Sequence, residues 1–527
     1  MEIERPDIYD DWSNLTKDVL LTIDQILQQI TTDHRIPPLE AVPTLLAATF
    51  QPSPDLVVRI LEPPGLSPNT VQVAYLATIV DPQLVDQDVL APLMGTTTTP
   101  DQWDRSPITR APVKRLPTWH AVLDHLAEGW TVLFAPGIDW AWGIDTTKYP
   151  SRNVGRPQTE LAVRGPDDAF TELLTTQMGQ LRQRFHDAAL TFHPITLGRY
   201  QRTQVVVAFL RGLTNPALVD QMIQRLKAVT IDGRANATVI AGLIRDHPRS
   251  IFPTLRSTER VDLATQSLLE GKVVVLVDGD PFVLIAPAPL ADFYRTAMDY
   301  AGAWYDISFV RLIRLLGWVM GIYLPALYIS LTEVNTNLLP PALLILTAGD
   351  HAGLPFPPLV EALLMVLVIE VLREAALRLP KALSTTIGTV GAIVVGTAVV
   401  KAGLVSPQMI VVITLTALSF YSVPVYELTG TWRIVNAVML LAGALLGLYG
   451  IIWVTMVVVG LLTELSSFGV PYFVPFAPFR ANDWRDLFIR QPWNGLRRRL
   501  TTARPRSSRP MGSPQTVPPA HLKKGRN

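Results

Sequence analysis

The sequence predicts an α/β soluble region of two duplicated subdomains followed by an α-helical transmembrane domain. Three observations carry that expectation: a fall in charge density near residue 307, a pair of self-similar stretches before it, and a series of apolar runs after it. The chain has 527 residues, 49% of them hydrophobic, with a mean hydropathy of +0.27. Such a length calls for at least two units. The apolar surplus is concentrated between Ser308 and Thr463, where charges are scarce.

In the soluble half, "VQVAYLATIVDPQLVDQ" from Val71 aligns without gaps with "VVVAFLRGLTNPALVDQ" from Val205. Each reads as a strand, a short turn and a helix whose first turn carries proline. In the same order, "LAEGWTVLFAPG" from Leu126 resembles "LLEGKVVVLVDG" from Leu268. Two ordered matches predict two copies of one α/β subdomain, over residues 38–150 and 155–295, after an N-terminal extension of residues 1–37. In the second copy "TELAVRG" reads as a strand, "DAFTELLTTQMGQLRQRF" as a helix, and "GKVVVLVDGDPFVLIAP" as a hairpin turning at Asp278-Gly279.

Composition narrows function. The 45 basic and 45 acidic residues cancel, which argues against a nucleic-acid partner, because phosphate binding needs a basic surface. There is no cysteine, so disulfides, zinc–thiolate sites and thiol catalysis are excluded. No phosphate-binding glycine loop, zinc-protease helix or nucleophile elbow occurs. Asp278 and Asp280 flank a glycine as ordinary turn residues do, and His186 and His193 have no third ligand type near them in sequence. An enzyme is therefore not expected, and no cofactor or metal is implied. The opening "MEIERPDIYDDW" is acidic and polar, unlike a signal peptide, which places the soluble half in the cytosol.

The membrane domain is expected over residues 308–463 with about four spans, each needing roughly 20 apolar residues. They are Ser308–Thr332, with Arg311 and Arg314 snorkelling at its entrance, Ser384–Val400, Gln408–Tyr426 and an uncharged Ile434–Thr463. Pro358–Leu379 is nearly oily enough to be a fifth but carries Glu361, Glu370 and Glu374. The tail is rich in arginine, so both ends should be cytoplasmic and the crossings even in number. That makes Pro358–Leu379 an interfacial or partly inserted helix. Its glutamates are either a solvated or arginine-paired edge or an acidic ring at a cation pathway. In Ser384–Gly403, the small positions Ser384, Gly388, Gly391 and Gly396, with Val395 and Val399, fit either close helix packing or the lining of a pore gated by dewetting. After the last span, 464–503 reads as an interfacial amphipathic segment and 504–527 as a disordered basic tail facing anionic lipid.

Several stretches together carry a family resemblance. They are "RPQTELAVRGPDDAFTE" (Pro157, Glu160, Arg164, Gly165, Pro166, Glu172), "FPTLRSTERVD" (Thr258, Glu259, Arg260), "LLEGKVVVLVDGDPFVL" (Asp278, Gly279, Pro281), "LPFPPLVEALLM", "SFGVPYFVPFAPF" (Gly469, Pro471, Tyr472) and "DLFIRQPWN". From about Asp55 to Asn494 the chain resembles the A-subunit family of GerA-type bacterial spore germination receptors. It departs from the family's pattern at Val261, at Asp280 and in "QMGQLRQRF". The resemblance implies a spore inner-membrane protein acting with a transporter-like B subunit and a lipoprotein C subunit. It further implies assembly of A subunits into a ring, a homo-oligomer with a central ion path through the lipid bilayer. A non-channel scaffold, or a standalone channel without nutrient-binding subunits, remains open on sequence grounds. A secondary transporter lacks the inverted repeat it would need.

Overall fold

The computed structural model describes residues 36–378 and 398–492, apart from 51–52, 64–69, 96–111, 150–154, 158–159, 161–163 and 485, together with 502–503 and 505. The first unit runs α1 (Val42–Phe50), β1 (Leu56–Leu61), β2 (Val71–Leu76), β3 (Val113–Leu116), α2 (Trp119–Ala127), β4 (Trp130–Phe134) and β5 (Ala141–Asp145). Its strands form one antiparallel sheet ordered β1-β2-β4-β5-β3. Alternation along the strands divides the core. Ala74, Leu76, Val132 and Phe134 pack against α1 and α2. Val73, Tyr75 and Leu133 pack against Val85, Val89 and Leu93, on the helical stretch that starts at Pro82.

The second unit runs α3 (Leu174–Arg184), β6 (Leu190–Leu197), β7 (Thr203–Leu210), α4 (Pro216–Lys227), α5 (Ala237–Ile244), β8 (Arg256–Thr258), α6 (Val261–Leu269), β9 (Val273–Val277) and β10 (Val283–Ala286). Its sheet is ordered β6-β7-β9-β10-β8, the same strand order as the first. The local devices match as well. Asp81 and Asn215 each cap a helix whose first residue is proline, which suits a position with no hydrogen-bonding duty for an N–H. The expected hairpin is β9–β10, with Gly279 at φ +77° in its turn. The helix expected from residue 168 begins only at Leu174, because Phe170 N–H bonds Glu259 O (2.7 Å) and Ala169 pairs with Arg260. Of "TELAVRG", Glu160, Arg164 and Gly165 sit in bends, and the rest lies outside the described residues.

One buried guanidinium joins the two units. Arg182 on α3 pairs with Asp55 before β1 (3.0 Å), both side chains fully buried. It also donates to Leu190 O (2.8 Å) and Ser53 Oγ (3.2 Å) and lies over the rings of Phe50 and Phe192.

The membrane half consists of α7 (Trp304–Ile329), α8 (Pro341–His351), α9 (Pro358–Arg378), α10 (Pro407–Tyr421), α11 (Tyr426–Leu446) and α12 (Leu448–Glu464). Among the described residues, α7 with its continuation to Val334, and α11, are long and apolar enough to cross a membrane. Pro325 lies inside α7 and has no N–H, so the Gly321 carbonyl loses its helical donor. Asn436 on α11 supplies one instead, at 2.8 Å. Gly443 lets α11 approach so closely that a Cβ there would sit 2.8 Å from Ala326 O.

Two expectations change here. Ile434–Thr463 is not one helix: Gly447, at φ +61°, ends α11, and α12 packs back against it. Gln408–Tyr426 stops at Tyr421, and α11 starts at Tyr426. Pro341–His351 forms the additional helix α8, with proline at its cap and at its first position. Pro358–Arg378 is one continuous helix packed on α10. The glycine-punctuated span falls outside the described residues except for its last turn, at 398–400.

Arg182→Ala would leave Asp55 buried without a counter-charge, which typically costs about 3–5 kcal/mol. Chemical unfolding of the soluble half should show that loss. Arg59→Ala, which breaks an exposed pair with Asp86, should cost about 1 kcal/mol or less.

Candidate functional site

The residues of chemical interest gather where the soluble half meets the membrane helices. Arg311 and Arg314 lie three apart on one face of α7. They do not snorkel to water but are buried in protein. Arg311 Nε meets Asp299 Oδ2 at 2.9 Å and its Nη1 meets Asp486 Oδ1 at 3.1 Å. Arg314 Nη2 meets Asp299 Oδ1 at 3.0 Å, and its Nη1 donates to Tyr294 O at 2.7 Å. A capping box between Thr296 and Asp299 sets the carboxylate in place. Tyr300 OH donates to Asp486 Oδ2 at 2.8 Å. Burial opposes ionisation of Asp299, but Arg314 and Arg311 prevail and hold its carboxyl below the usual range. Close by, Lys272 bridges Glu270 (2.6 Å) and Asp292 (2.9 Å). Burial would discharge Lys272, yet the two carboxylates raise its pKa.

The motif residues form a second cluster at the same joint. Glu160 pairs with Arg256 (3.3 Å) and accepts from Thr258 Oγ1. Its backbone N–H donates to Glu259 Oε1 (3.3 Å). Arg260 donates to Glu160 O (3.1 Å) and Pro166 O (2.8 Å). Beside them Ser257 donates to Glu427 in the first turn of α11. Pro157 is buried, while Arg164, Gly165 and Pro166 are exposed. Glu172 O accepts from Gly279 N–H (2.7 Å), so that motif pair braces the hairpin of Asp278 and Pro281.

Gly469 (φ +73°) turns a tight hairpin pairing Ser466–Ser467 with Val470–Pro471. Ser467 Oγ donates to Thr254 O at 2.6 Å, and Tyr472 O accepts from Leu290 N–H at 2.9 Å. Tyr472 is fully buried against Phe252 and Phe293. The segment read as a headgroup anchor therefore spends its aromatics on the soluble half; Phe479 alone of its rings is largely exposed.

The three glutamates of α9 have different surroundings. Glu370 pairs with Arg373 and, at 2.9 Å, with Arg433 of α11. Glu374 is exposed. Glu361 is fully buried. Its Oε2 accepts from the N–H of Ser406, the cap of α10, at 2.9 Å, and its Oε1 lies 3.7 Å from His351 Nε2 of α8. Around this pair, Gln408 donates to Asp350 (2.8 Å) and Tyr328 OH donates to Gln408 (3.2 Å). Val399 packs beside it, among Ile329, Ala362 and Met409. Ser384, Gly388, Gly391, Val395 and Gly396 lie outside the described residues.

Sequence reasoning missed Arg256, Asp299, Asp486, His351 and Ser406. For Asp299 a signal existed: two arginines in an apolar run require carboxylates, and "MDY" lies just upstream. The others become partners only in three dimensions.

Two outcomes follow. Asp299→Asn should lower the melting temperature of the solubilised chain near neutral pH. Because the native pKa is depressed, this stabilisation is complete above about pH 3.9, the ordinary aspartate value, and disappears as pH falls through the lower native value. The difference between wild type and variant should therefore shrink only below about pH 4. Separately, Glu361→Gln keeps an acceptor for the Ser406 N–H while Glu361→Leu does not. Leucine should cost about 1–3 kcal/mol more than glutamine in unfolding free energy.

The chain is similar to known proteins over most of its length. A family profile described as Bacillus/Clostridium GerA spore germination protein matches residues 44–502. Spore germination protein B1 of Bacillus subtilis (strain 168) is 40% identical over 373 residues, 71% of this chain and 77% of that protein. Spore germination protein KA of the same organism is 31% identical over 84% of this chain and 82% of its own. Spore germination protein GerLA of Bacillus cereus is 35% identical over 74% of this chain and 80% of its own. Among solved structures, the crystal structure of the N-terminal domain of the A subunit of the Bacillus megaterium spore germinant receptor GerK3 aligns with 48% of this chain and 95% of its own. The identity there is 26% and the TM-score 0.38. On the extent of the family-profile and sequence matches, the chain belongs to the GerA spore germination protein family.

Proposed function

We propose that this chain is the A subunit of a spore germinant receptor and forms an oligomeric, nutrient-gated ion channel in the spore inner membrane. Family membership over residues 44–502 is the observation that carries the proposal. A transporter-like B subunit holds the nutrient, a lipoprotein C subunit completes the receptor, and both ends of the chain face the cytoplasm. The chain is not an enzyme. Its soluble half arose by duplication, in keeping with two sheets of one strand order and paired Asp81-Pro82 and Asn215-Pro216 helix starts.

The joint supports a gating role. Asp299 and Asp486 grip α7 through Arg311 and Arg314, while Glu427 ties α11 to Ser257. Motion of the soluble half would thus be passed to both helices rather than lost in a loop.

The test is ion release from liposomes carrying the A, B and C subunits. Nutrient should trigger release, a bulky residue at Val395 or Gly396 should slow it, and Glu361→Gln should alter it while assembly is retained. Release unaffected by bulky residues at Val395 and Gly396 would remove the pore assignment. A monomeric mass for the purified chain, together with absent flux, would favour a scaffold instead.

A further inference from the structure

Where α7, α11 and α12 meet the soluble half, they enclose an apolar cavity of about 200 Å³. Its walls include Trp318 of α7, Trp432 and Val435 of α11 and Val458 of α12, and its floor Phe476 and Phe488. Its rim includes Val319 and Val459, which are 48% and 41% exposed. These belong to outward faces that also expose Leu312 and Leu316 on α7 and Ile452 and Met456 on α12. On membrane helices such faces meet hydrocarbon, so the cavity opens toward acyl chains rather than toward water.

The lining is almost wholly apolar. The Trp318 and Trp432 rings stand 5.5 Å apart, with both indole nitrogens buried in the protein. Tyr323 OH and Thr455 Oγ1, also in the wall, satisfy each other at 3.2 Å. No charged side chain is among the described residues of the lining, so a zwitterionic nutrient would find no counter-charge to hold it.

We propose that this cavity is a lipid site that takes one acyl chain of a membrane glycerolipid. The size fits. An apolar cavity of about 150 Å³ is enough for benzene, so this one holds a short run of methylenes while the rest of the chain follows the surface of α7 and α12. The occupant rests against Tyr294, whose hydroxyl donates to the Arg311 carbonyl and whose ring lies under Arg314. An acyl chain here therefore packs directly on the ionic joint between the halves. The proposal relies on the membrane placement of α7 and α12 but not on ion conduction.

The experiment uses the full chain in liposomes containing phosphatidylglycerol with a photoactivatable group on one acyl chain, and locates adducts by peptide mass spectrometry. Adducts should concentrate on the peptides holding Val319 and Val459. Val435→Phe, which fills the cavity, should reduce them several-fold and leave labelling near Leu445, on the exposed face of α11, unchanged. Uniform labelling along all helices, indifferent to Val435→Phe, would mean annular lipid only and overturn the site. So would displacement of the probe by free fatty acid alone, or a crosslink from the Val319 peptide to a second copy of the chain. Ion flux plays no part in these readouts, so their failure is separate from failure of the channel reading.

Discussion

The paired carboxylates of Asp299 and Asp486 around Arg311 are the constraint from which the arrangement of the two halves follows. A guanidinium taken out of water is tolerated only with its counter-charge in place. Arg311 has two, with Asp299 on one side and Asp486, which also offers its carbonyl, on the other. Asp299 comes from the end of the soluble half, and Asp486 from the segment after the last membrane helix. One side chain thus fixes the entrance of α7 and the exit of α12 to the same spot, although 175 residues separate Arg311 from Asp486. The buried pair of Arg182 and Asp55 does the equivalent work between the two soluble units. In both places the ionic contact sets position more than it adds net stability, since each desolvated charge offsets much of the attraction it gains.

Inside the membrane half, buried or half-buried polar side chains appear where the helical backbone is interrupted. Pro325 frees the Gly321 carbonyl, and Asn436 binds it. Ser406 begins α10, and Glu361 accepts from its N–H. Gly447 ends α11, and Asn335 Oδ1 accepts from the N–H of Leu448 at 2.9 Å. With no water available in hydrocarbon, each freed backbone group needs a partner from the protein. That requirement accounts for Asn335, Glu361 and Asn436 without invoking transport, and it sets the standard a functional role for Glu361 must exceed. The feature that exceeds it is the second oxygen of Glu361, which faces His351 at 3.7 Å rather than a backbone group.

Much of the soluble fold was legible because its signals are local. Self-similar apolar runs marked β2 and β7, Asp81-Pro82 and Asn215-Pro216 marked helix starts, and Asp278-Gly279 marked a turn. The membrane half was harder for a physical reason. Gly447 lies in an apolar run, and nothing polar beside it announces that the helix ends there. Arg311 and Arg314 read the same from sequence whether their heads reach water or a buried carboxylate; only Asp299 and Asp486, brought in by the fold, decide. The environment of Glu361 depends on His351 before it and Ser406 after it, neither of which lies on its own helix.

The faces of α9 bear on what surrounds it. Leu363, Leu367 and Val371, spaced by four, are all exposed, whereas Glu361, Ala362 and Met365 are buried. Glu370 turns toward Arg433 on α11. A helix on the surface of a water-soluble protein shows the reverse, with leucine inward and carboxylates outward. An outward stripe of leucine and valine with charge held inward suits a hydrocarbon surrounding. Even a helix lying in the headgroup layer would turn its charged side to water, and Glu361 does not. The burial of Glu361 therefore sets the first half of α9 among the other helices, while Glu374 near its far end is exposed.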